Sequence, residues 1–110
     1  MIKITVFYPY TEGAHFDMDY YTTKHIAVHK QDPNVKGIVI EEGVGPFRKD
    51  GKPAFVCIAH FFYESLEKLK ESRTPEKEAR QVADIQNFTD IKPYNQYSEI
   101  AFADISSLKL

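Results

Sequence analysis

Segment 54–63, AFVCIAHFFY, constrains this chain more than any other stretch. Read at period two, it puts Ala54, Val56, Ile58, His60 and Phe62 on one face of a strand. Phe55, Cys57, Ala59, Phe61 and Tyr63 fall on the other. Both faces are apolar, so both must be covered. The chain has 110 residues, and what remains supplies helices for one face only. The second face then needs a partner, and a second copy of the same sheet is the simplest one. A domain of this size buries only roughly two-thirds of the surface its unfolded chain exposes, which also favours pairing.

The rest of the chain fills in around that strand. Ile2, Ile4, Val6 and Tyr8 alternate with Lys3, Thr5 and Phe7, so 2–8 reads as a strand that Pro9 and Thr11-Glu12-Gly13 end. Asp17 is placed to cap a helix over 18–30, with Phe16 and Tyr21 as a hydrophobic staple. Met18, Tyr21, His25 and Val28 then share one stripe, and His25 sits mid-face where an aliphatic residue is the default. After Asp32-Pro33-Asn34, residues 35–42 read as a strand with Ile38 and Ile40 on one side. A connection rich in turn residues (Gly43, Gly45, Pro46, Asp50-Gly51) closes a hairpin with 54–63.

Glu64-Ser65 opens a helix carrying Leu66 and Leu69, and Thr74-Pro75 restarts it with a cap and an N-terminal proline. Ala79, Val82 and Ala83 are expected to face inward. Residues 84–93 read as a loop, and Tyr94, Gln96, Ser98, Ile100 and Phe102 as a final strand. Leu108 and Leu110 suggest a tail that docks, the partner subunit being one place for it. The element order is βαββαβ in a single α+β domain over 1–110. Right-handed crossovers make that a ferredoxin-like, four-stranded antiparallel sheet with helices on one face.

Several partner classes are not expected. The net charge is −2 and no basic stretch stands out, which argues against a nucleic-acid surface. No apolar run reaches the ~18–20 residues that span a membrane. The chain starts directly as a strand, without the basic and small-residue pattern of a leader, and the lone Cys57 forms no internal disulfide. Both features favour the cytoplasm. Seven Tyr and eight Phe make a high aromatic share, which fits core packing, a thick interface, or a pocket for a flat ligand.

Three stretches follow one another in a telling order. They are Phe16-Asp17-x-x-Tyr20-Tyr21-x-x-Lys24-His25, then 57–66 (CIAHFFYESL), then 84–99 with Asp84-Ile85-Gln86-Asn87-Phe88 at its head. Together they resemble the EthD family, in its opening helix, its third strand with the helix after it, and its aspartate-isoleucine-proline-asparagine-phenylalanine signature. Ala27 and Gln86 stand where that family usually has proline, and Ala27 is expected to leave the first helix straighter past His25. The resemblance implies a dimeric α/β barrel, a homodimer whose two sheets face each other across an apolar interior. It places the ligand between sheet and helices of each subunit. The implied role is breakdown of small organic compounds, leaning toward oxidoreductase activity, and the fold alone does not fix the chemistry.

His25 is the sharpest chemical candidate. A buried neutral imidazole takes a proton from an acidic C–H or a phenol near neutral pH. The plain alternative is a packed histidine satisfied by a backbone carbonyl or a tyrosine. His60 assists only if its strand face meets the helices, and alternation does not say which face does. Tyr21, on the His25 stripe, is the favoured oxyanion donor or stacking group, with Tyr8 and Tyr20 beside it. Met18, Asn87 and Phe88 complete the expected ligand-binding set, and Asp17 reads as a cap. His25 and His29 have i, i+4 spacing but no following carboxylate in a metalloprotease pattern, so no metal is expected. No glycine-rich phosphate loop is present, and no cofactor is expected. Two readings stay open. One is an enzyme using His25 as general base on a small aromatic or apolar metabolite, of cyclase, isomerase or cofactor-free oxidoreductase type. The other is a non-catalytic protein that binds such a ligand or haem.

Overall fold

In the computed structural model, β1 (Ile2–Pro9) runs through the middle of a four-stranded antiparallel sheet. It pairs with β3 (Phe55–Tyr63) on one side and β4 (Tyr94–Glu99) on the other, and β2 (Gly37–Glu42) lies outermost against β3. The structure describes residues 1–46 and 49–110. The strand order β2-β3-β1-β4 is the ferredoxin-like one.

Three helices connect the strands. The first, α1, is built from Met18–Tyr20, a π-helical turn Tyr21–His25, and Ala27–Lys30. The second crossover holds α2 (Leu66–Ser72) and α3 (Pro75–Asp84), followed by a 3₁₀ turn at Ile85–Asn87. The caps read from sequence are in place. Asp17 accepts from the Tyr20 N–H (3.0 Å), and Ser65 and Thr74 accept from Lys68 and Lys77 (3.2 Å each). The first helix is not the straighter run expected from Ala27. The Ile26 N–H reaches back five residues to the Tyr21 carbonyl, and Ile26 itself (φ −84°, ψ −1°) joins two α-helical pieces. That wide turn buries Tyr21, His25 and Ile26 together.

The helices cover one face of the sheet. Cys57, Ala59, Phe61 and Tyr63 of β3 pack there with Ile4, Tyr8, Tyr21, Ile26, Leu69, Phe88 and Ile91. One detail of β3 corrects the period-two reading. Tyr8 pairs with Cys57 but Pro9 pairs with Phe55, so Val56 is an extra, bulged residue. Val56 therefore packs against the core. Phe55 instead sets its ring 5.3 Å from Phe7 and 6.4 Å from Tyr94 on the opposite face. That open face also carries Lys3, Thr5, Ile58, His60 and Phe62, which the β1–β3 register brings side by side.

Two further expectations are corrected. On α3, Ala79 and Ala83 are exposed, and Val82 is 66% exposed although it borders the cavity described below, while Lys77, Glu78, Gln81 and Asp84 are the half-buried residues. The inward side of this helix walls a cavity rather than a core, so apolar residues do not mark it. The last strand stops at Glu99. Ile100 donates to the Met1 carbonyl (3.0 Å), and beyond it Phe102, Ile105, Leu108 and Leu110 are exposed rather than docked on their own chain. Among the described residues, no helix is long and apolar enough to cross a membrane.

Candidate active site

His25 is held on three sides. Its residue surface is 7% exposed, its ring stacks on Tyr21 (centroids 5.2 Å, 24°), and Phe88 abuts it at 4.6 Å. Its Nδ1 lies 2.7 Å from Oδ2 of Asp84, the last residue of α3. A carboxylate only accepts, so Nδ1 carries the proton and the Nε2 lone pair is left for other work. The second oxygen of Asp84 is also engaged. Oδ1 accepts from the Tyr20 hydroxyl (2.7 Å) and from the Asn87 amide (2.9 Å).

The charges follow from this packing. Burial pulls His25 below its ordinary value, outweighing the upward pull of the Asp84 hydrogen bond and charge, so the imidazole is neutral at pH 7. For Asp84, burial pushes upward, but the donors Tyr20, Asn87 and His25 outweigh it and hold the carboxyl below the usual range. Donation to Asp84 raises the Tyr20 hydroxyl. Burial raises the Tyr8 and Tyr21 hydroxyls well above the ordinary phenol, so both are neutral, with the Tyr21 hydroxyl donating to that of Tyr8.

His25 opens on a cavity of about 320 Å³ between the sheet and the helices. Val6, Tyr8, Tyr21, His29 and Phe61 supply its aromatic and aliphatic side, and Glu78 and Gln81 of α3 supply a polar wall. This is the size and character of a small-molecule site, largely apolar with a few converging polar groups. His29 packs on Phe61 at 4.2 Å. Burial, then the charges of Arg73 and His25, pull it down to about 4.

The structure thus brings together His25, Tyr21 and Tyr8 at the cavity, and Tyr20 and Asn87 behind it as donors to Asp84. Phe88 is fully buried core that packs against His25, Tyr8, Tyr20 and Tyr21 rather than reaching the cavity. Met18 lines a separate shallow groove with Tyr10, Phe16 and Val56. His60 does not join the site, because it stands on the open sheet face opposite the helices. There Lys3 donates to its Nδ1 (2.8 Å), while Glu41 lies 3.2 Å from its Nε2, too far off axis for a hydrogen bond. Among the described residues, no group of three metal-ligating side chains gathers. Sequence reasoning missed Asp84, Glu78 and Gln81 as site residues. Their i, i+3, i+6 spacing on α3 was the available signal.

The comparisons with known proteins bear on the family and the fold. A model described as the EthD domain matches residues 13–92. An EthD-like protein from Ralstonia eutropha JMP134 is 34% identical over 94% of each chain, with a TM-score of 0.82. A dimeric ferredoxin-like protein from Thermobifida fusca YX matches 90% of each chain at 7% identity and a TM-score of 0.61. SnoaB, a cofactor-independent oxygenase from Streptomyces nogalater, matches 93% of each chain at 8% identity and a TM-score of 0.55. No curated protein matches the chain. The fold is that of the ferredoxin-like, dimeric α/β-barrel proteins.

Proposed function

The chain belongs to the EthD family, and on that premise we propose that it is an enzyme of small-molecule breakdown in which His25 acts as a general base. One observation carries the reading. A neutral imidazole lines the cavity while a carboxylate holds its Nδ1 proton at 2.7 Å. Asp84 fixes the tautomer, aims the ring, and stabilises the imidazolium that forms when Nε2 takes a proton. The base removes a proton from an acidic C–H or a phenolic O–H of a flat substrate stacked among Tyr8, Tyr21 and Phe61. The pair left on the substrate is an enolate or phenolate, and a tyrosine hydroxyl donates to its oxygen. Reprotonation at another carbon gives isomerisation, attack within the molecule gives cyclisation, and reaction with dioxygen gives oxidation. The oxygenase SnoaB shares the fold.

The protein works as a homodimer in this reading, with the open sheet faces apposed. Phe7, Phe55, Ile58, Phe62 and Tyr94 form the apolar part of that face. The fold relative from Thermobifida fusca is itself dimeric.

The test is a thermal-stability screen of wild type and His25→Gln against aromatic, quinone and polyketide-like compounds. A ligand at one hundred times its dissociation constant adds about 2.7 kcal/mol. A stabilising compound whose turnover disappears in His25→Gln supports the base. Turnover that survives in His25→Gln overturns it.

A further inference from the structure

Arg73 ends α2, where its backbone N–H bonds the Leu69 and Lys70 carbonyls (3.1 and 3.3 Å). Its side chain is only 19% exposed and lines the same cavity as His25. The guanidinium is held by one edge. Nε donates to Oε1 of Glu78 at 3.1 Å, and among the described residues no partner takes either Nη group. A half-enclosed arginine whose outer fork lacks an acceptor is poised for a planar anion, because the two Nη groups match the two oxygens of a carboxylate. Glu78 fixes the guanidinium plane from behind without covering that fork. Lys92 adds a second cation on the rim, with no ion pair among the described residues. His29 lines the same cavity, and burial, with the Arg73 charge next, keeps it neutral.

We propose that Arg73 anchors an anionic group and that this site takes flat aromatic or alicyclic carboxylates in preference to their neutral counterparts. The proposal rests on the reading of the cavity as a small-molecule site and names the chemical class it accepts. The carboxylate docks on the Nη fork, which sets the ring among Tyr8, Tyr21 and Phe61 with its reactive edge toward His25. A lost charged hydrogen bond of this kind corresponds to a change on the order of tenfold or more in affinity.

The test compares 2-naphthoate with 2-naphthamide, two probes of one shape that differ in charge, by titration calorimetry on the full chain. Wild type is expected to bind naphthoate at least about tenfold more tightly than naphthamide. Arg73→Gln should remove that preference, and Arg73→Lys should keep part of it. Equal binding of the two probes to wild type overturns the anion-anchoring role while leaving the cavity reading intact. A preference that survives in Arg73→Gln, with native circular dichroism, overturns the assignment to this residue. Saturable binding of neither probe overturns both the inference and the cavity reading beneath it.

Discussion

The imidazole of His25 and the carboxylate of Asp84 meet at 2.7 Å across 59 residues of sequence. The contact joins the first helix to the end of the last one, so it ties the two crossovers together over the sheet. It also decides what the imidazole can do. With Nδ1 committed to donation, the ring presents its unprotonated nitrogen elsewhere. Tyr20 and Asn87 complete the carboxylate's partners, which keeps Asp84 ionised and its geometry fixed.

Replacing Asp84 with asparagine tests that role. An amide can offer its N–H₂ to Nδ1 and so favour the opposite tautomer. Turnover of the compound found by the ligand screen should fall on the order of a hundredfold or more in Asp84→Asn. Binding of that compound should change far less. A comparison of kcat with KM reads the difference.

Phe88 holds the ring system in place. It is fully buried and contacts Tyr8, Phe16, Tyr20, Tyr21 and His25. Phe88→Ala should cost about 3–5 kcal/mol, read as a drop in the urea midpoint. Phe88→Leu, which refills most of the volume, should cost less than half of that.

Acid should weaken the fold through His29. Burial, followed by Arg73 and His25, holds it down to about 4 in the folded chain, against about 6.5 when unfolded. The unfolded chain therefore takes up the proton first as pH falls. The stability this neutral group allows is complete above its unfolded value and is lost as pH drops toward its folded one. Between pH 7 and 4.5 the loss is about 2 kcal/mol, and His29→Gln should flatten that part of the urea-midpoint profile. Asp84 and Asp32, both held below the usual carboxylate range, act at still lower pH.

The open face of the sheet should control assembly. Phe62→Asp sets a charge on that face, beside His60 and opposite Lys3 and Gly37 in the strand register, without touching the His25 cavity. Light scattering should find wild type dimeric and Phe62→Asp shifted toward monomer. A variant that stays dimeric at micromolar concentration places the interface elsewhere.

Much of this architecture was legible from residues alone. Alternation marked the strands, and Asp17, Ser65 and Thr74 marked the helix starts because capping chemistry is local. His25 and Tyr21 stood out because a polar ring on an apolar stripe breaks the pattern. Asp84 did not, because its partner lies on another helix and no local rule links the two. The wall of α3 was read largely backward, since apolar Ala79 and Ala83 look inward by hydrophobicity but are exposed, while polar Glu78 and Gln81 line the cavity beside a mostly exposed Val82. His60 illustrates a different limit. A strand apolar on both sides carries no sign of which face meets the helices, and the bulge at Val56 exchanges the sides of its first residues.

The central claim is that His25 is a neutral base with its proton on Nδ1 at working pH. Nitrogen-15 NMR of wild type labelled at histidine reads both the tautomer and the titration of that ring. The account predicts a neutral His25 at pH 7, protonated on Nδ1, titrating below the ordinary histidine value, and shifted toward the other tautomer in Asp84→Asn. A His25 that is charged at pH 7, or that carries its proton on Nε2 in wild type, contradicts it.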